Sequence, residues 1–487
     1  MRLGANLAES FPVLNSYFAN RIDGRYQNGE VDLGMGLAID PQRWENRMRS
    51  MKYFQCAAVA IATAGLAPRS HADSIPLGWE ANNLEPVGYS TLDNRKGAFK
   101  MAVKKVNGHW YLYMGHLWHY GWSIVDVTDP KDPKFVKTIQ GPKNTWTIQM
   151  TLHDNIMVTA LEKSSLAWGA DPNKPNEEGV LIWDISDPVN PRQLSHWKTG
   201  ATGTHRNSYP GGKYAYLSAA APGFSSNILV ILDISDPAQP KEAGRWWMTG
   251  QREGETKPEG PEGFHGPANI SPDGKVASMA YSPAAVNLDI TDVTNPRLIG
   301  KLTFSPPFVA VGAPSLHTAL PLWDRNLLYV NSEAIAERCN EALNFAGLVD
   351  NRNPARPRLM SLFPVPVPPK DAPYKNFCEK GGRFGPHNVN QEIHLPDVEK
   401  PGNLIYLTYF NAGLRVYNIK DPLLPVETGW FIPPQPSERV GPLPRDLVTQ
   451  TEDVLVDTRG YIYVTDKQWG LWILRYTGPD QPAPTDK

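Results

Sequence analysis

The sequence has little net charge and lacks the short motifs of the common enzyme classes. Its 48 Lys and Arg almost balance its 50 Asp and Glu, which leaves a net charge of -2. A chain without a positive field is not steered to phosphate backbones, so nucleic acid is not an expected partner. No G-x-S-x-G elbow, Walker loop, Rossmann glycine run, HExxH pair or CxxCH haem site is present. These absences argue against serine hydrolysis, phosphoryl transfer and hydride transfer.

Long apolar runs are also scarce, and the one that stands out lies at 53–67. It is too short to span a bilayer. Basic residues precede it and a small-x-small site ends at Ala72, which is the pattern of a secretory signal. We therefore predict a signal peptide over 51–72 and an upstream extension over 1–50, with Met51 as the start of translation. The mature protein would be periplasmic or secreted, without a membrane span. The alternative is that the run forms a buried helix.

Cysteine is scarce as well, with three residues in the chain. Cys56 would leave with the signal peptide, so Cys339 and Cys378 would form an even pair in an oxidising compartment. We predict a disulfide between them. The alternative is two unconnected buried thiols, because sequence spacing does not show that two Cβ atoms approach each other.

Turn residues, by contrast, are abundant, and they belong to an internal repeat. The chain contains 46 Pro and 40 Gly. Six segments combine a β-branched run with a turn and place Asp or Asn seven positions before a proline, an offset too regular to be accidental. They read SIVDVTDPKDP at 123–133, LIWDISDPVNP at 181–191, VILDISDPAQP at 230–240, VNLDITDVTNP at 286–296, GLVDNRNPARP at 347–357 and RVYNIKDPLLP at 415–425.

Each repeat unit corresponds to four strands. The β-branched run is one strand, and the Asp-x-Ser/Thr-Asp-Pro turn ends it, because proline has no N–H to donate. Another strand precedes the run after a tight turn such as Asn107-Gly108, and a further strand, such as 134–139, follows the proline. The unit recurs every 49 to 68 residues. This pattern is typical of the blades of a propeller.

The two ends of the repeat array predict how the ring closes. Residues 84–93 look like a fourth strand with no blade before it, and a weaker seventh copy at 471–478 lacks its own fourth strand. We therefore expect an all-β, seven-bladed β-propeller over 84–478, built of four-stranded antiparallel blades and closed by the N-terminal strand. Residues 479–487 would be a disordered tail. An array of β-sandwiches is the alternative, although sandwiches do not repeat one hairpin pair at constant phase.

The strand and turn signature resembles the LVIVD-repeat propellers over nearly all of 84–478. The resemblance implies the fold, but it says little about function, because sites on such rings are built independently of the repeat. Many proteins of this kind are described only as surface proteins. A non-catalytic binding or scaffold protein of the cell surface is therefore one of two hypotheses.

Histidines at equivalent positions support the other hypothesis, a metal-dependent enzyme. The first strand of each blade lines the channel of a propeller, so residues at its start converge on the axis. Blades 1 and 2 place Phe99 and Trp146 near this position, and blade 7 places Glu452 there. Blades 3 to 6 begin GTHRN, GFHGPAN, SLHTAL and GPHNVN, which gives the predicted ligands His205, His265, His317 and His387.

Four imidazoles and a carboxylate suit a divalent transition metal such as Fe, Mn, Cu or Zn. Glu452 would orient a ligand or act as the catalytic base, and the two blades without a ligand would leave a side open for a small-molecule substrate. The geometry is similar to that of the iron-dependent carotenoid oxygenases and the manganese-dependent oligogalacturonate lyases, whose strand motifs do not match. An oxygenase, lyase or hydrolase is expected, with an oxidoreductase or a lyase favoured. Alternatively, the histidines hydrogen-bond neighbouring blades.

Three further groups of residues have weaker patterns. The segment GHLWHYGW at 115–122 places His116, His119 and Trp118 as substrate contacts, with interblade packing as the alternative. An insertion in blade 5 at 331–344 carries Glu333, Glu337, Arg338 and Glu341, which would face the channel mouth or form a solvated helix. His153 and His394 have no partner in the pattern and receive no role.

Overall fold

Seven antiparallel sheets follow one another along the chain in this computed structural model, which describes residues 73–256, 263–304, 316–341 and 344–484. The sheets are the seven blades of a propeller, which confirms the predicted all-β fold. The expected upstream extension and signal peptide, 1–50 and 51–72, lie outside the described residues. Within the described ranges, no helix is long and apolar enough to cross a membrane.

The first two strands belong to the last blades, and blade 1 begins with the third strand. Strands β1 and β2 are Glu80–Asn82 and Leu84–Ser90. Blade 1 consists of β3 (Ala98–Val106), β4 (His109–His116), β5 (Gly121–Asp126) and β6 (Lys134–Gln140). Blade 2 consists of β7 (Thr145–Trp146), β8 (Met150–His153), β9 (Ile156–Lys163), β10 (Gly179–Asp184) and β11 (Arg192–Trp197).

The strands of blades 3 to 5 follow in chain order. Blade 3 contains β12 (Tyr214–Ala220), β13 (Asn227–Asp233) and β14 (Lys241–Trp246). Blade 4 contains β15 (Gly263–Ile270), β16 (Val276–Ser282), β17 (Ala284–Asp289) and β18 (Arg297–Thr303). Blade 5 contains β19 (Thr318–Leu322), β20 (Leu327–Asn331), β21 (Ala346–Asp350) and β22 (Arg358–Leu362).

Blades 6 and 7 complete the ring. Blade 6 contains β23 (Leu404–Thr408), β24 (Leu414–Asn418) and β25 (Val426–Ile432). Blade 7 contains β26 (Thr451–Val456), β27 (Tyr461–Asp466) and β28 (Leu471–Tyr476). Helical structure in the described ranges is limited to α1 (Phe377–Lys380) and to the 3-10 turns Leu166–Trp168 and Trp323–Arg325.

The N-terminal strand closes the ring as predicted. Strand β2 pairs with β28 from Leu84 opposite Tyr476 to Ser90 opposite Leu471, and so becomes the outer strand of blade 7. Strand β1 adds outside β25 of blade 6. The chain's start therefore covers the edges of both final blades, which would otherwise expose unpaired backbone groups.

The repeated acidic residue has a local structural role. Asp126 accepts a hydrogen bond from the backbone N–H of Thr128 at 2.9 Å, which stabilises the turn that ends β5. The same contact between residues two apart recurs in every repeat named above. The other acceptors are Asp184, Asp233, Asp289, Asp350 and Asn418.

Apolar side chains between neighbouring blades form the core. Trp122 of blade 1 is fully buried and meets Trp183 of blade 2 edge-on, with ring centroids 5.7 Å apart. Phe431 and Trp472 make the corresponding contact between blades 6 and 7 at 5.2 Å. Each such buried side chain contributes about 1.5–3 kcal/mol. The ring is thus held by interblade packing, so the channel is free to carry polar groups.

Candidate metal centre

The four predicted histidines occupy equivalent places in blades 3 to 6. In three of them the backbone N–H of the histidine donates to a backbone carbonyl of the blade's second strand, at 2.8–2.9 Å. The pairs are His205 with Ser218, His317 with Asn331 and His387 with Thr408. His265 lies in β15, beside a shift in register between Phe264 and Ala268. The regular spacing of the repeat therefore places each imidazole at the start of the innermost segment of its blade.

The four imidazole rings form a continuous arc. Their centroids are 4.9 Å apart for His205 and His265, 4.6 Å for His265 and His317, and 4.9 Å for His317 and His387. Four residues from four blades meet in this way only around the ring's axis. Aromatic rings flank both ends of the arc: Trp146 lies 6.4 Å from His205, and Phe99 lies 5.5 Å from His387. These are the residues expected at the positions without a ligand.

A carboxylate from the blade 5 insertion lies among the rings. One oxygen of Glu333 is 3.7 Å from Nε2 of His317, and the other is 3.7 Å from Nε2 of His387. Ligand atoms of His265, His317 and Glu333 lie within 4.8 Å of one another, a spacing that one metal ion can bridge. Nε2 of His265 is buried and makes no hydrogen bond within the protein. The insertion expected at the channel mouth therefore supplies a fifth donor.

Two more carboxylates contact the outer nitrogens of the terminal histidines. Glu162 lies 2.6 Å from Nδ1 of His205, and Glu452 lies 3.3 Å from Nδ1 of His387. Glu162 accepts from Nδ1 of His205, which fixes the tautomer in which Nε2 carries a free lone pair, whereas Nδ1 of His387 is close to Glu452 but makes no hydrogen bond within the protein. Nδ1 of His317 instead lies 3.3 Å from the Arg206 guanidinium, which only donates, and 2.9 Å from Thr318 Oγ1, so this nitrogen acts as an acceptor. The carboxylate on the outer nitrogen of His205 is a common way for proteins to orient an imidazole ligand.

Three of the four histidines are held in the neutral form. Burial lowers the pKa of His265, His317 and His387 well below its usual value. The guanidinium of Arg206 acts in the same direction; it is buried, donates to the carbonyl of Gly266 at 2.8 Å and also bonds the carbonyl of His317. Neutral imidazole is the form that binds metals.

Two buried cations balance the carboxylates. Lys467 forms an ion pair with Glu452, and Arg383 lies 3.2 Å from Glu333. Burial raises the pKa of Glu452 to about 7, although the charge of Lys467 opposes the increase. Burial also raises the pKa of Glu333, and the charge of Arg383 opposes this. Trp168 covers both cations, with its ring 5.2 Å from the Lys467 ammonium and 5.5 Å from the Arg383 guanidinium.

Comparison with known proteins agrees with this architecture. The LVIVD repeat family model matches residues 211–247, the strands β12 to β14. Blade 3 is an LVIVD repeat. This confirms the resemblance inferred from the sequence. No curated protein shows significant sequence similarity to the chain.

Solved structures similar to this propeller are distant in sequence. The periplasmic gluconolactonase PpgL of Pseudomonas aeruginosa is 10% identical, with 79% of this chain and 98% of that chain covered and a TM-score of 0.47. A hypothetical selenium-binding protein of Sulfolobus tokodaii is 13% identical, with 80% and 85% covered and a TM-score of 0.45. The Cps50 (Swd1) propeller domain of Myceliophteria thermophila is 10% identical, with 78% and 97% covered and a TM-score of 0.48.

The predicted disulfide joins two segments near the histidines of the propeller. Cys339, in the blade 5 insertion, is bonded to Cys378 in α1, which confirms the pairing. Glu333 lies six residues before Cys339, and Arg383 lies five residues after Cys378. The bond therefore tethers the segment that supplies the carboxylate to the segment that supplies its cation. It also fits an oxidising compartment.

The other residues of the insertion do not share the site with Glu333. Arg338 forms an ion pair with Asp446 at 2.6 Å, and the carboxylate of Glu337 accepts from the N–H of Arg445. Glu341 accepts from the N–H of Ile335 and braces the loop internally. These contacts hold the insertion in an extended loop rather than the solvated helix considered above.

The residues expected as substrate contacts have different surroundings. His116 is engaged within blade 1, where Nε2 is 2.7 Å from Ser123 Oγ and Nδ1 is 3.2 Å from the carbonyl of Lys96. The ring of His119 lies 6.3 Å from that of His116. Trp118 instead contacts the neighbouring blade 7, where its Nε1 donates to the carbonyl of Lys467 at 3.0 Å. Of the three, Trp118 is thus linked to the site.

The expectation that His153 and His394 have no partners is wrong. Their rings stack at 6.1 Å, and Nε2 of His394 lies 3.3 Å from the carbonyl of Leu152 and 3.7 Å from Glu392. His394 lies in a turn, not in a strand. The turn brings it back to blade 2, a long-range contact that the local pattern does not reveal.

Proposed function

We propose that this LVIVD-repeat propeller is an exported, metal-dependent enzyme that acts on a small organic molecule. His205, His265, His317 and His387 would hold one divalent transition metal ion, Fe, Mn, Cu or Zn, with Glu333 as an additional ligand. The observation that carries the proposal is the arc of imidazoles, with successive rings 4.6 to 4.9 Å apart and a buried carboxylate between the last two.

The surroundings of the arc support a metal rather than ordinary interblade hydrogen bonding. Histidines that only join blades would direct both nitrogens to protein partners. Here Nε2 of His265 has no such partner, and Nε2 of both His317 and His387 faces the same carboxylate. Nδ1 of His205 and of His387 faces an outer carboxylate. Ligand atoms of His265, His317 and Glu333 close enough to share one ion, with a neighbouring histidine oriented by Glu162, are compatible with a coordinated histidine set.

The donor set also indicates what chemistry the ion would supply. Neutral imidazoles and a single carboxylate leave a divalent ion with net positive charge, so it would act as a Lewis acid toward an oxygen of the substrate or of water. Oxygenase, lyase and hydrolase reactions all fit this role. A divalent ion bound by N and O donors is compatible with each of the four metals named.

Glu452 is better suited to positioning than to abstracting a proton from substrate. One of its oxygens faces Nδ1 of His387 and the other is paired with Lys467. A base needs a free oxygen within hydrogen-bond reach of the reacting group. We therefore propose that Glu452 orients His387 and does not act as the catalytic base, which was the other role expected for it.

Export is part of the proposal. Asp73, the residue after the predicted cleavage site, already belongs to the folded ring, since its carboxylate accepts from the N–H of Thr91 at 2.6 Å. Protein recovered from the periplasm or the medium should therefore begin at or near Asp73 in intact-mass analysis. Retention of residues 1–50 would contradict the signal assignment.

Metal analysis tests the enzyme proposal. Wild-type protein, purified without chelators and offered Fe, Mn, Cu and Zn, should retain about one equivalent of one metal. Each of the variants His205→Ala, His265→Ala, His317→Ala and His387→Ala should lose most of it while keeping the circular dichroism of the fold. His109→Ala is the matched control, because this side chain is 55% exposed on β4. A wild type that retains no metal would overturn the proposal in favour of the binding or scaffold protein.

A further inference from the structure

A cavity lies beside the proposed metal centre, on the side of the ring where blades 1 and 2 supply no histidine. Its volume is about 170 Å³. Three indoles form one continuous wall: the ring of Trp168 lies 5.7 Å from that of Trp118 and 4.8 Å from that of Trp146. The rest of the lining has equal numbers of apolar and polar side chains. The apolar ones are Leu117, Ala170, Val440 and Pro442, and the polar ones are Tyr120, Asn144, Thr145 and Ser164.

Two glycines fix the position of Trp118. A Cβ atom on Gly97 or on Gly441 would overlap the indole, so both residues must be glycine for the ring to lie between them. Gly97 also has a φ of 53°, in the left-handed region. The indole is further anchored by its hydrogen bond to the carbonyl of Lys467. Trp118 is therefore a rigid wall of the cavity.

The cavity offers few polar groups to a ligand. The amide of Asn144 is hydrogen-bonded to Asp171 and neighbouring carbonyls, and the hydroxyl of Thr145 is bonded to Lys143 and Glu177. Trp146 and Ser164 also line the cavity, and Nε1 of the first and Oγ of the second are buried and make no hydrogen bond within the protein. A buried donor without a partner is costly unless a ligand supplies the acceptor.

We propose that this cavity binds a single aromatic ring bearing an oxygen substituent, that is, a compound of the phenol class. An apolar cavity of about 150 Å³ accommodates one benzene ring, so the volume suits one ring with a small substituent. Three indoles favour a planar partner, which packs against them by stacking or edge contacts. Trp146 N–H would donate to the ligand's oxygen. A sugar of the same size would leave several hydroxyl groups unpaired against apolar walls.

The cavity and the metal centre share one wall. Trp146 lines the cavity and its ring lies 6.4 Å from that of His205. Trp168 lines the cavity and also covers the cations that pair with Glu333 and Glu452. A ring held here lies next to the histidine arc. That the ligand is a substrate rests on the proposed function, but that the cavity binds it does not.

Equilibrium binding by ligand-observed NMR, with phenol as the probe, tests the proposal. Phenol should bind metal-free and metal-loaded wild type alike, whereas glucose and cyclohexanol should bind at least tenfold more weakly. Trp146→Phe keeps a ring but removes the N–H, and should weaken phenol by about five- to tenfold while leaving benzene unchanged. Gly441→Ala should displace Trp118 and abolish binding of both.

The controls separate this proposal from the metal centre. His205→Ala should lose metal but still bind phenol, and Trp79→Phe, an exposed indole packed on Phe431, should bind phenol as the wild type does. If phenol binds neither the metal-free nor the metal-loaded protein, the cavity proposal is overturned and the metal proposal still stands. Phenol binding that survives both Trp146→Phe and Gly441→Ala unchanged would place the ligand elsewhere and would overturn it too.

Discussion

The carboxylate of Glu162 lies 2.6 Å from Nδ1 of His205. A carboxylate only accepts hydrogen bonds, so the imidazole must donate through Nδ1, and the lone pair of Nε2 is left free for a metal ion. Glu162 also joins the two blades, because it forms a β-bridge with Gly203, two residues before His205.

Glu162→Gln should therefore weaken metal retention without unfolding the ring. Loss of a carboxylate that orients a histidine ligand typically costs about 10- to 100-fold in metal affinity. Competition with a chelator of known affinity measures the change. Glu177→Gln is the matched control, because Glu177 pairs with the exposed Lys198 near the same blade edge. An affinity equal to that of the wild type would show that His205 is not a ligand.

The buried ion pair of Lys467 and Glu452 should contribute to the free energy of unfolding. Both side chains are 1% exposed, so Lys467→Met leaves a carboxylate uncompensated. Removing one partner of a buried pair costs about 3–5 kcal/mol, and a second change, Glu452→Gln, should recover much of that loss. Urea unfolding of the single and double variants gives the interaction free energy between the two side chains. Lys198→Met, in an exposed pair, should change stability by less than about 1 kcal/mol.

Glu399 should make the protein less stable as the pH rises. Its burial, and secondarily the charge of Asp457, raises its pKa from 4.5 to about 7. Between these values the folded state binds the proton more tightly than the unfolded state, so stability falls as the pH increases from about 5 to above 7. Glu399→Gln should be more stable than the wild type at pH 8 and should differ little at pH 4.

Glu438, with 79% of its side chain exposed, provides the control for that measurement. Melting temperatures should be measured for wild type, Glu399→Gln and Glu438→Gln across this pH range. The difference from wild type should grow with pH for Glu399→Gln and stay small for Glu438→Gln. A difference between Glu399→Gln and wild type that stays constant from pH 4 to pH 8 would contradict the assignment.

The disulfide should leave no titratable thiol in the mature protein. Thiol titration under denaturing, non-reducing conditions should give none, and two would show that Cys339 and Cys378 are reduced. Removal of a native disulfide typically costs about 2–5 kcal/mol, so Cys378→Ser should unfold at lower urea concentration. Because the bond tethers the loop that carries Glu333, metal affinity should also fall in this variant.

Repeat phase explains how much of the fold and the site is predictable from sequence. Each blade repeats the same strand, Asp-capped turn and proline, so the ring, its closure and the register of four histidines follow from aligned positions. Glu452 follows by the same alignment. Its neighbour Lys467 has no such signal, because it enters the channel from the end of another strand of the blade.

The remaining groups lie outside the repeat and depend on long-range packing. Glu333 comes from an insertion held by a disulfide and by Arg383, and Trp168 comes from a 3-10 turn that folds over the channel. Neither position has a counterpart in the other blades. Sequence spacing identified the insertion, but only the folded ring shows that one of its four charged residues meets the histidines.

Anomalous X-ray diffraction from a crystal of the metal-loaded protein would locate the ion itself. One strong peak is expected at the absorption edge of the bound metal, about 2.0–2.2 Å from Nε2 of the arc histidines and from an oxygen of Glu333. A peak bound by His116 and His119, by surface carboxylates, or absent after loading would contradict it.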